Sequence, residues 1–160
     1  MKFDLIIQAR VFSSRLPGKV FLSLGDKTVL EFLINNLKKI NSINKIILAI
    51  PKNSDNILFQ KIATKNKIKL FISADKNENN VLKRFYDCAK KFKSQNIIRI
   101  TSDCPFINIH VVKEMIKYYS FHKLTFLTNN KPRHIPHGFD CEIFHFKLLK
   151  KTYLKAYKKS

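Results

Sequence analysis

Glycine is scarce in this chain: Gly18, Gly25 and Gly138 are the only three in 160 residues. No Gly-x-x-x-x-Gly-Lys-Ser/Thr loop and no Gly-x-Gly-x-x-Gly fingerprint can be formed from them. Each is expected where the backbone needs a conformation that other residues resist. Cysteine is equally sparse. Cys88, Cys104 and Cys141 are odd in number, widely spaced and contain no Cys-x-x-Cys pair. That argues against a disulfide framework and against zinc, and for reduced structural thiols. No apolar run approaches the roughly 18–20 residues needed to span a bilayer. The start, Met-Lys-Phe-Asp-Leu-Ile-Ile, has an acid at position 4 and no cleavage-like site, so it reads as a first strand and not a leader. A cytoplasmic location is the expectation. Acids are few: 11 against 31 Lys and Arg, a formal charge of +20.

Two readings of that charge stand. One is an anionic partner: nucleotide, membrane or nucleic acid. The other is compositional, since Lys, Asn, Ile and Phe, the residues of AT-rich codons, are all abundant. The lysines are spread over almost every expected helix, and no helix gathers Arg and aromatics on one face. A nucleic-acid partner is therefore not expected. In both readings a positive field speeds capture of anionic substrates in a salt-dependent way.

What is present is a foldable core. Hydrophobic residues make up 45% of the chain, with 14 Phe, and the length suits one domain over residues 1–160. Apolar runs alternate with helix-period segments. Strands are expected at residues 3–7, 45–50, 68–72, 96–101, 124–128 and 141–144. Thr28 followed by Glu31 is a capping box that opens the first helix. Ser54 opens a second, with Ile57, Leu58, Ile62 and Ala63 on its buried side. Helices follow at residues 81–92 and 109–121, and a last one starts near Phe146. This alternation predicts an α/β fold with a mostly parallel sheet.

In such a sheet ligands bind beyond the carboxyl ends of the strands. Three polar groups fall there. The loop after the first strand carries Gln8, Ala9, Arg10, Ser13, Ser14, Arg15 and Lys19. Three cations and two hydroxyls in ten residues suit a polyphosphate, bound through side chains. The fourth strand is followed by Thr101-Ser102-Asp103-Cys104-Pro105. Asp103 reads either as a Mg²⁺ ligand working with substrate phosphates or as a helix cap or partner of Arg99. The third group is Arg133, His134, His137 and Asp140. Asp140 and Glu142 are expected to share one face of a short strand.

These residues, in order, carry a resemblance. Gln8-Ala9-Arg10 with Ser13-Ser14-Arg15-Leu16-Pro17-Gly18-Lys19 resembles the opening motif of the sugar-acid cytidylyltransferases. Within them it looks like the spore-coat-polysaccharide branch, related to the synthetases of CMP-sialic, CMP-pseudaminic and CMP-deoxyoctulosonic acids. Val81-Leu82-Lys83-Arg84-Phe85, Ile100-Thr101-Ser102-Asp103-Cys104-Pro105 and Pro136-His137-Gly138-Phe139-Asp140-Cys141-Glu142-Ile143-Phe144 are similar to three further motifs. The resemblance implies a Rossmann-like, three-layer nucleotide-diphospho-sugar-transferase fold and a homodimer. It implies a Mg²⁺-dependent nucleotidyltransferase of surface-polysaccharide biosynthesis, moving CMP from CTP to an acidic sugar with release of pyrophosphate. Mapped here, Arg10, Arg15 and Lys19 hold the triphosphate, with Arg10, Lys19 and Asp103 as catalytic groups. Gln8 and Ala9 approach the cytidine, Arg84 helps close the nucleotide site, and Asp103 takes the metal. Arg133, His137, Asp140 and Glu142 face the sugar. Phe12 and Ser102 stand where the family often has glycine, and Asn80 and Lys83 replace acids. The family runs beyond this length, so the domain is expected to lack its C-terminal part. A nucleotide-binding remnant without turnover is the alternative, and a basic nucleic-acid-binding protein a third reading.

Overall fold

The first strand decides the layering. In β1, Phe3–Gln8, Leu5 and Ile7 point to one face and Ile6 to the other, as a two-residue period requires. All three are fully buried. A strand buried on both faces needs a helical layer on each side. The computed structural model, which describes residues 1–11, 16–52, 56–75, 77–133 and 135–157, has both layers.

A 3₁₀ turn, Lys19–Phe21, and a small hairpin of β2, Ser23–Leu24, and β3, Lys27–Thr28, follow β1. Then come α1, Val29–Leu37; β4, Ile43–Ile50; α2, Asn56–Lys65; and β5, Lys69–Ile72. The second half holds α3, Val81–Phe92; β6, Asn96–Thr101; α4, Ile109–Phe121; β7, Phe126–Thr128; β8, Glu142–His145; and α5, Phe146–Tyr157. The main sheet has the order β5-β4-β1-β6-β8-β7. Its first four strands are parallel, while β8 runs antiparallel to both β6 and β7. The helices α1, α2 and α4 cover the Leu5 and Ile7 face through Leu33, Phe59, Val112 and Ile116. Phe85 and Ala89 of α3 and Leu149 of α5 cover the Ile6 face. This is the expected three-layer α/β architecture.

Some expected boundaries and faces shift. The buried side of α2 is Phe59, Ile62 and Ala63, whereas Ile57 and Leu58 are exposed. Phe59, Ile62 and Ala63 recur at i, i+3 and i+4 and so share the face that meets the sheet, while Ile57 and Leu58 fall off that face. Ser54 lies outside the described residues. The strand expected at 141–144 starts at Glu142, so Asp140 sits before it and shares no strand face with Glu142. All three cysteines are free and buried. Burial pushes the thiols of Cys88 and Cys141 up to about 12, which makes them poor nucleophiles.

The capping box forms as read. Glu31 Oε2 accepts from the Thr28 backbone N at 3.0 Å, and Thr28 Oγ1 accepts from the Glu31 N at 3.2 Å. Lys65, at the end of α2, adds an ion pair to Glu31 Oε1 at 2.8 Å. Chiefly the Lys65 contact and then the Thr28 amide, against the opposing effect of burial, hold the Glu31 carboxyl at about 2 instead of 4.5. A depressed carboxyl stabilises the fold above its unfolded pKa and loses that contribution as pH falls through the folded value. Stability should therefore decline as pH drops from about 4.5 to about 2. Glu31→Gln should lose about 1–2 kcal/mol at neutral pH and flatten that acid limb, as read by urea unfolding across pH. An acid limb of unchanged steepness in the variant would contradict this.

Candidate active site

The chain moves from β1 to β4 and β5 on one side of the sheet, then returns through α3 to β6 on the other. Its order reverses between β1 and β6, where open α/β sheets bind ligands. The two strands pair in parallel up to Gln8↔Thr101. The Ser102 backbone N donates to Gln8 O at 2.9 Å, so the two following loops leave at the same level.

Gly18 has φ +68° and its N donates to Val11 O at 2.9 Å. The left-handed geometry explains the glycine. Lys19 follows directly, and its Nζ lies 2.8 Å from Asp103 Oδ2 across the crevice. Asp103 therefore pairs with neither Arg99 nor the next helix, which Asn108 caps. Burial pushes the Asp103 carboxyl up, but hydrogen bonds from Lys19 and Thr101 prevail and hold it below 3.8. Its side chain is still 45% exposed. A pair open to water to that degree contributes roughly 0–1 kcal/mol to folding, so exchanging partners is easy for both charges.

The other expected residues fall around this pair. Ala9 is buried and donates its N to Ala49 O at 3.2 Å. Gln8 Oε1 is buried with no hydrogen-bond partner among the described residues. Arg10 is exposed, and its Nη1 donates to Asn79 Oδ1 at 3.3 Å. Ser13, Ser14, Arg15 and His134 lie outside the described residues. Arg84 is buried, and its Nη2 donates to Glu78 O at 2.8 Å and Asn77 O at 3.4 Å. It braces the loop that meets Arg10 and does not face the open crevice itself.

The Arg133 fork grips Asp140 with Nη1–Oδ1 at 2.8 Å and Nη2–Oδ2 at 3.2 Å. Charges on Asp103 and Asp140 both act on the Cys104 thiol, which places the two loops side by side. Gly138 has φ +94° in this loop, and His137 is exposed. Glu142 is separate: it pairs with Arg99 Nη1 at 2.8 Å on the α3 side of the sheet. The expected Asp140–Glu142 couple does not form. Asn79 and Asn129 escaped the sequence reading. Asn129 Nδ2 donates to Phe139 O and its Oδ1 accepts from the Cys141 N, both at 2.9 Å, closing the base of the 130–140 loop. A lone asparagine after a strand gives no signal of that kind.

Among the described residues no cluster of three His, Cys, Asp or Glu could hold a metal unaided. A single ionised carboxylate at a strand end suits Mg²⁺, which binds through one or two carboxylates together with substrate phosphates and water. The donor set fits that ion only when phosphate oxygens complete it.

Residues 5–158 match the sequence pattern of the cytidylyltransferase family. The chain belongs to that family. A Leptospira borgpetersenii cytidylyltransferase structure superposes with a TM-score of 0.87 at 33% identity, over 94% of this chain and 63% of that one. The spore coat polysaccharide biosynthesis protein SpsF of Bacillus subtilis is 33% identical over 70% of this chain and 47% of its own. The 3-deoxy-manno-octulosonate cytidylyltransferase of Wigglesworthia glossinidia brevipalpis is 31% identical over 68% and 43%. This cytidylyltransferase chain thus spans less than two thirds of the length of the curated relatives it matches. The family anticipated from the motifs is the one found.

Removing the Lys19 charge leaves burial unopposed by its largest counterweight. In Lys19→Met the Asp103 carboxyl should titrate at higher pH than in the native chain, as followed by ¹³C NMR. An unchanged midpoint would mean that Lys19 does not hold it.

Proposed function

We propose that this cytidylyltransferase chain transfers CMP from CTP to a sugar acid. The observation that carries the reading is the Lys19–Asp103 contact, a phosphate-type cation against a metal-type carboxylate at 2.8 Å. The names of two relatives, an octulosonate cytidylyltransferase and a spore-coat polysaccharide protein, support the acceptor class. In this reading Arg10, Arg15 and Lys19 hold the triphosphate, and Ser13 and Ser14 add hydroxyl donors. Gln8 and Ala9 approach the cytosine ring. Arg84 supports the nucleotide loop from behind, and Arg133, His137 and Asp140 face the acceptor.

The acceptor hydroxyl oxygen forms a bond to the α-phosphorus. The bond from that phosphorus to the bridging oxygen breaks, and its electron pair leaves with pyrophosphate. The hydroxyl proton passes to solvent. Negative charge grows on the leaving oxygens, so alignment and fixed positive charge do most of the catalysis. Lys19, once released from Asp103, supplies part of that charge. Asp103 and the substrate phosphates would hold Mg²⁺, which would supply positive charge against the phosphates.

Pyrophosphate release from CTP and Mg²⁺ over a panel of sugar acids tests the proposal. Lys19→Ala should weaken CTP binding by about 1.5–3 kcal/mol, as expected for a lost hydrogen bond to a charged group. CTP binding without release for any acceptor would reduce the chain to a nucleotide-binding protein. Unchanged affinity in Lys19→Ala would remove the phosphate assignment.

A further inference from the structure

The crevice lies at one end of the sheet, beyond Gln8 and Thr101. At the opposite end β1, β4, β5, β6 and β7 begin, α1 to α4 finish, β8 ends and α5 starts. The segments there carry one sign of charge. Lys2, Lys38, Lys67, Lys93, Lys123 and Lys147 are all exposed. None of them has an ion-pair partner among the described residues. The one described carboxylate near this end is Asp4, which is buried and already bound by Ser94, Asn44 and Lys45. The described arginines lie elsewhere: Arg10 and Arg133 in loops at the crevice end, Arg84 in the first turn of α3 and Arg99 within β6.

Neither composition nor helix stability accounts for this face. Lys67, Lys93 and Lys123 follow α2, α3 and α4 in the left-handed region, at φ +51°, +55° and +50°. Glycine or asparagine is usual there, and the Cβ of a lysine makes the same conformation costly. A drift toward AT-rich codons would supply asparagine, abundant in this chain, as readily as lysine. Helix C-termini do favour cations. That does not explain Lys147, which stands in the first turn of α5, where the helix dipole opposes a cation. Nor does it explain Lys2, which precedes β1.

Apolar side chains project from the same face. Phe121, at the end of α4, is 82% exposed and Met1 is 69% exposed. Ser120 Oγ donates to Met1 Sδ at 3.9 Å, which sets Met1 beside the end of α4. A cavity of about 440 Å³ at this end is lined by Met1, Leu124 and Leu148 together with Lys123, Lys147 and Lys151. Unpaired lysines around exposed apolar groups match a surface that rests on anionic lipid. A nucleic-acid face would favour arginine, whose planar fork recognises phosphate in a bidentate way.

We propose that this end of the sheet docks on an anionic lipid surface, with its lysines against the headgroups and Phe121 and Met1 entering the interface. No helix among the described residues is long and apolar enough to cross a membrane, so the contact is peripheral. The crevice, at the far end of the strands, then faces away from the lipid and stays open to nucleotide. The inference goes beyond the proposed reaction and does not depend on it.

Co-sedimentation of the full chain with vesicles tests this. At about 0.1 M salt, where the Debye length is about 10 Å, vesicles of phosphatidylcholine with one quarter phosphatidylglycerol should bind the chain. Phosphatidylcholine alone should bind it about ten-fold more weakly or less, and rising salt should weaken the anionic binding. The triple variant Lys67→Asn, Lys93→Asn, Lys123→Asn removes three charges from the face. Asparagine suits the left-handed region, so the thermal midpoint should be no lower than native and lost binding is not lost folding. A lysine near the surface is worth about five-fold, so this variant should bind roughly 100-fold more weakly. The control Lys61→Gln, Lys113→Gln, Lys155→Gln removes as many charges from α2, α4 and α5 away from the face, and should lose less than about ten-fold. The chain has no tryptophan, so Phe121→Trp gives a single reporter whose emission should move to the blue on the anionic vesicles. The lipid comparison and this reporter decide the matter even without the triple variant. Equal binding to both vesicle types, equal losses in the two triple variants, or an unmoved emission overturns the proposal. So does binding to duplex or single-stranded DNA that survives at a salt concentration where vesicle binding has gone, which would make the face a nucleic-acid interface.

Discussion

The parallel pairing of β1 with β6 is the constraint on which the rest of the molecule depends. Their register runs unbroken from Phe3↔Asn96 to Gln8↔Thr101. Because both strands end at the same height, the loops that follow them start side by side. The hydrogen bond from Ser102 N to Gln8 O extends the ladder one step past the strands. Beyond that step the backbones separate, and the space between them is bridged by side chains. Lys19 and Asp103 can meet because of this arrangement, though 84 residues apart in the chain. A one-residue slip in β1 would turn Leu5 and Ile7 to the opposite helical layer and bring Ile6 to theirs. The hydrophobic pattern that specifies the fold thus also specifies the site.

The carboxylates of the sheet differ in how firmly they are held. Asp4, near the start of β1, is buried and accepts from Ser94 Oγ at 2.6 Å and Asn44 Nδ2 at 2.9 Å, with Lys45 Nζ at 3.6 Å. A carboxylate so enclosed is expensive to disturb, since removing a partner strands a buried charge. Asp103, near the opposite end, has Lys19 as its one ion-pair partner among the described residues and is half open to water. The first arrangement holds strands together. The second leaves both charges accessible to water and free to exchange partners. Glu31 belongs with the first kind, fixed by its own capping box and by Lys65.

Much of this was legible in the chain itself. Buried apolar runs separated by helix-period segments dictate the layers, and Thr28 with Glu31 announces the start of α1. The bounds of α3, β6 and α4 follow from residues whose apolar period has no competitor. The buried side of α2 was misread in part because Ile57 and Leu58 are as apolar as the residues that do reach the sheet. Only the geometry of approach separates them. Asp140 and Glu142 were paired by a period-two argument that requires both to be in the strand, and β8 begins too late for that. Arg84 shows a different limit. Sequence places a cation next to the 77–80 loop, but not whether the cation faces the crevice or the loop's carbonyls. That depends on how α3 packs, and here packing turns it inward.

The shortage of glycine shapes how this site must work. A glycine-rich loop surrounds phosphate with backbone amides that are already fixed in direction. Here the loop after β1 offers Arg and Lys side chains, which bring more charge but also more rotamers to freeze. Pairing before binding offsets part of that loss. Lys19 is already directed across the crevice by Asp103, and Arg10 is already directed toward the 77–80 loop by Asn79. Arg84, fixed under the carbonyls of Asn77 and Glu78, in turn holds that loop in place. Rigidity that a glycine-rich loop obtains from backbone conformation is supplied in this crevice by polar contacts between side chains on three different segments. The residues that matter to it are accordingly not confined to the loop that carries the charges.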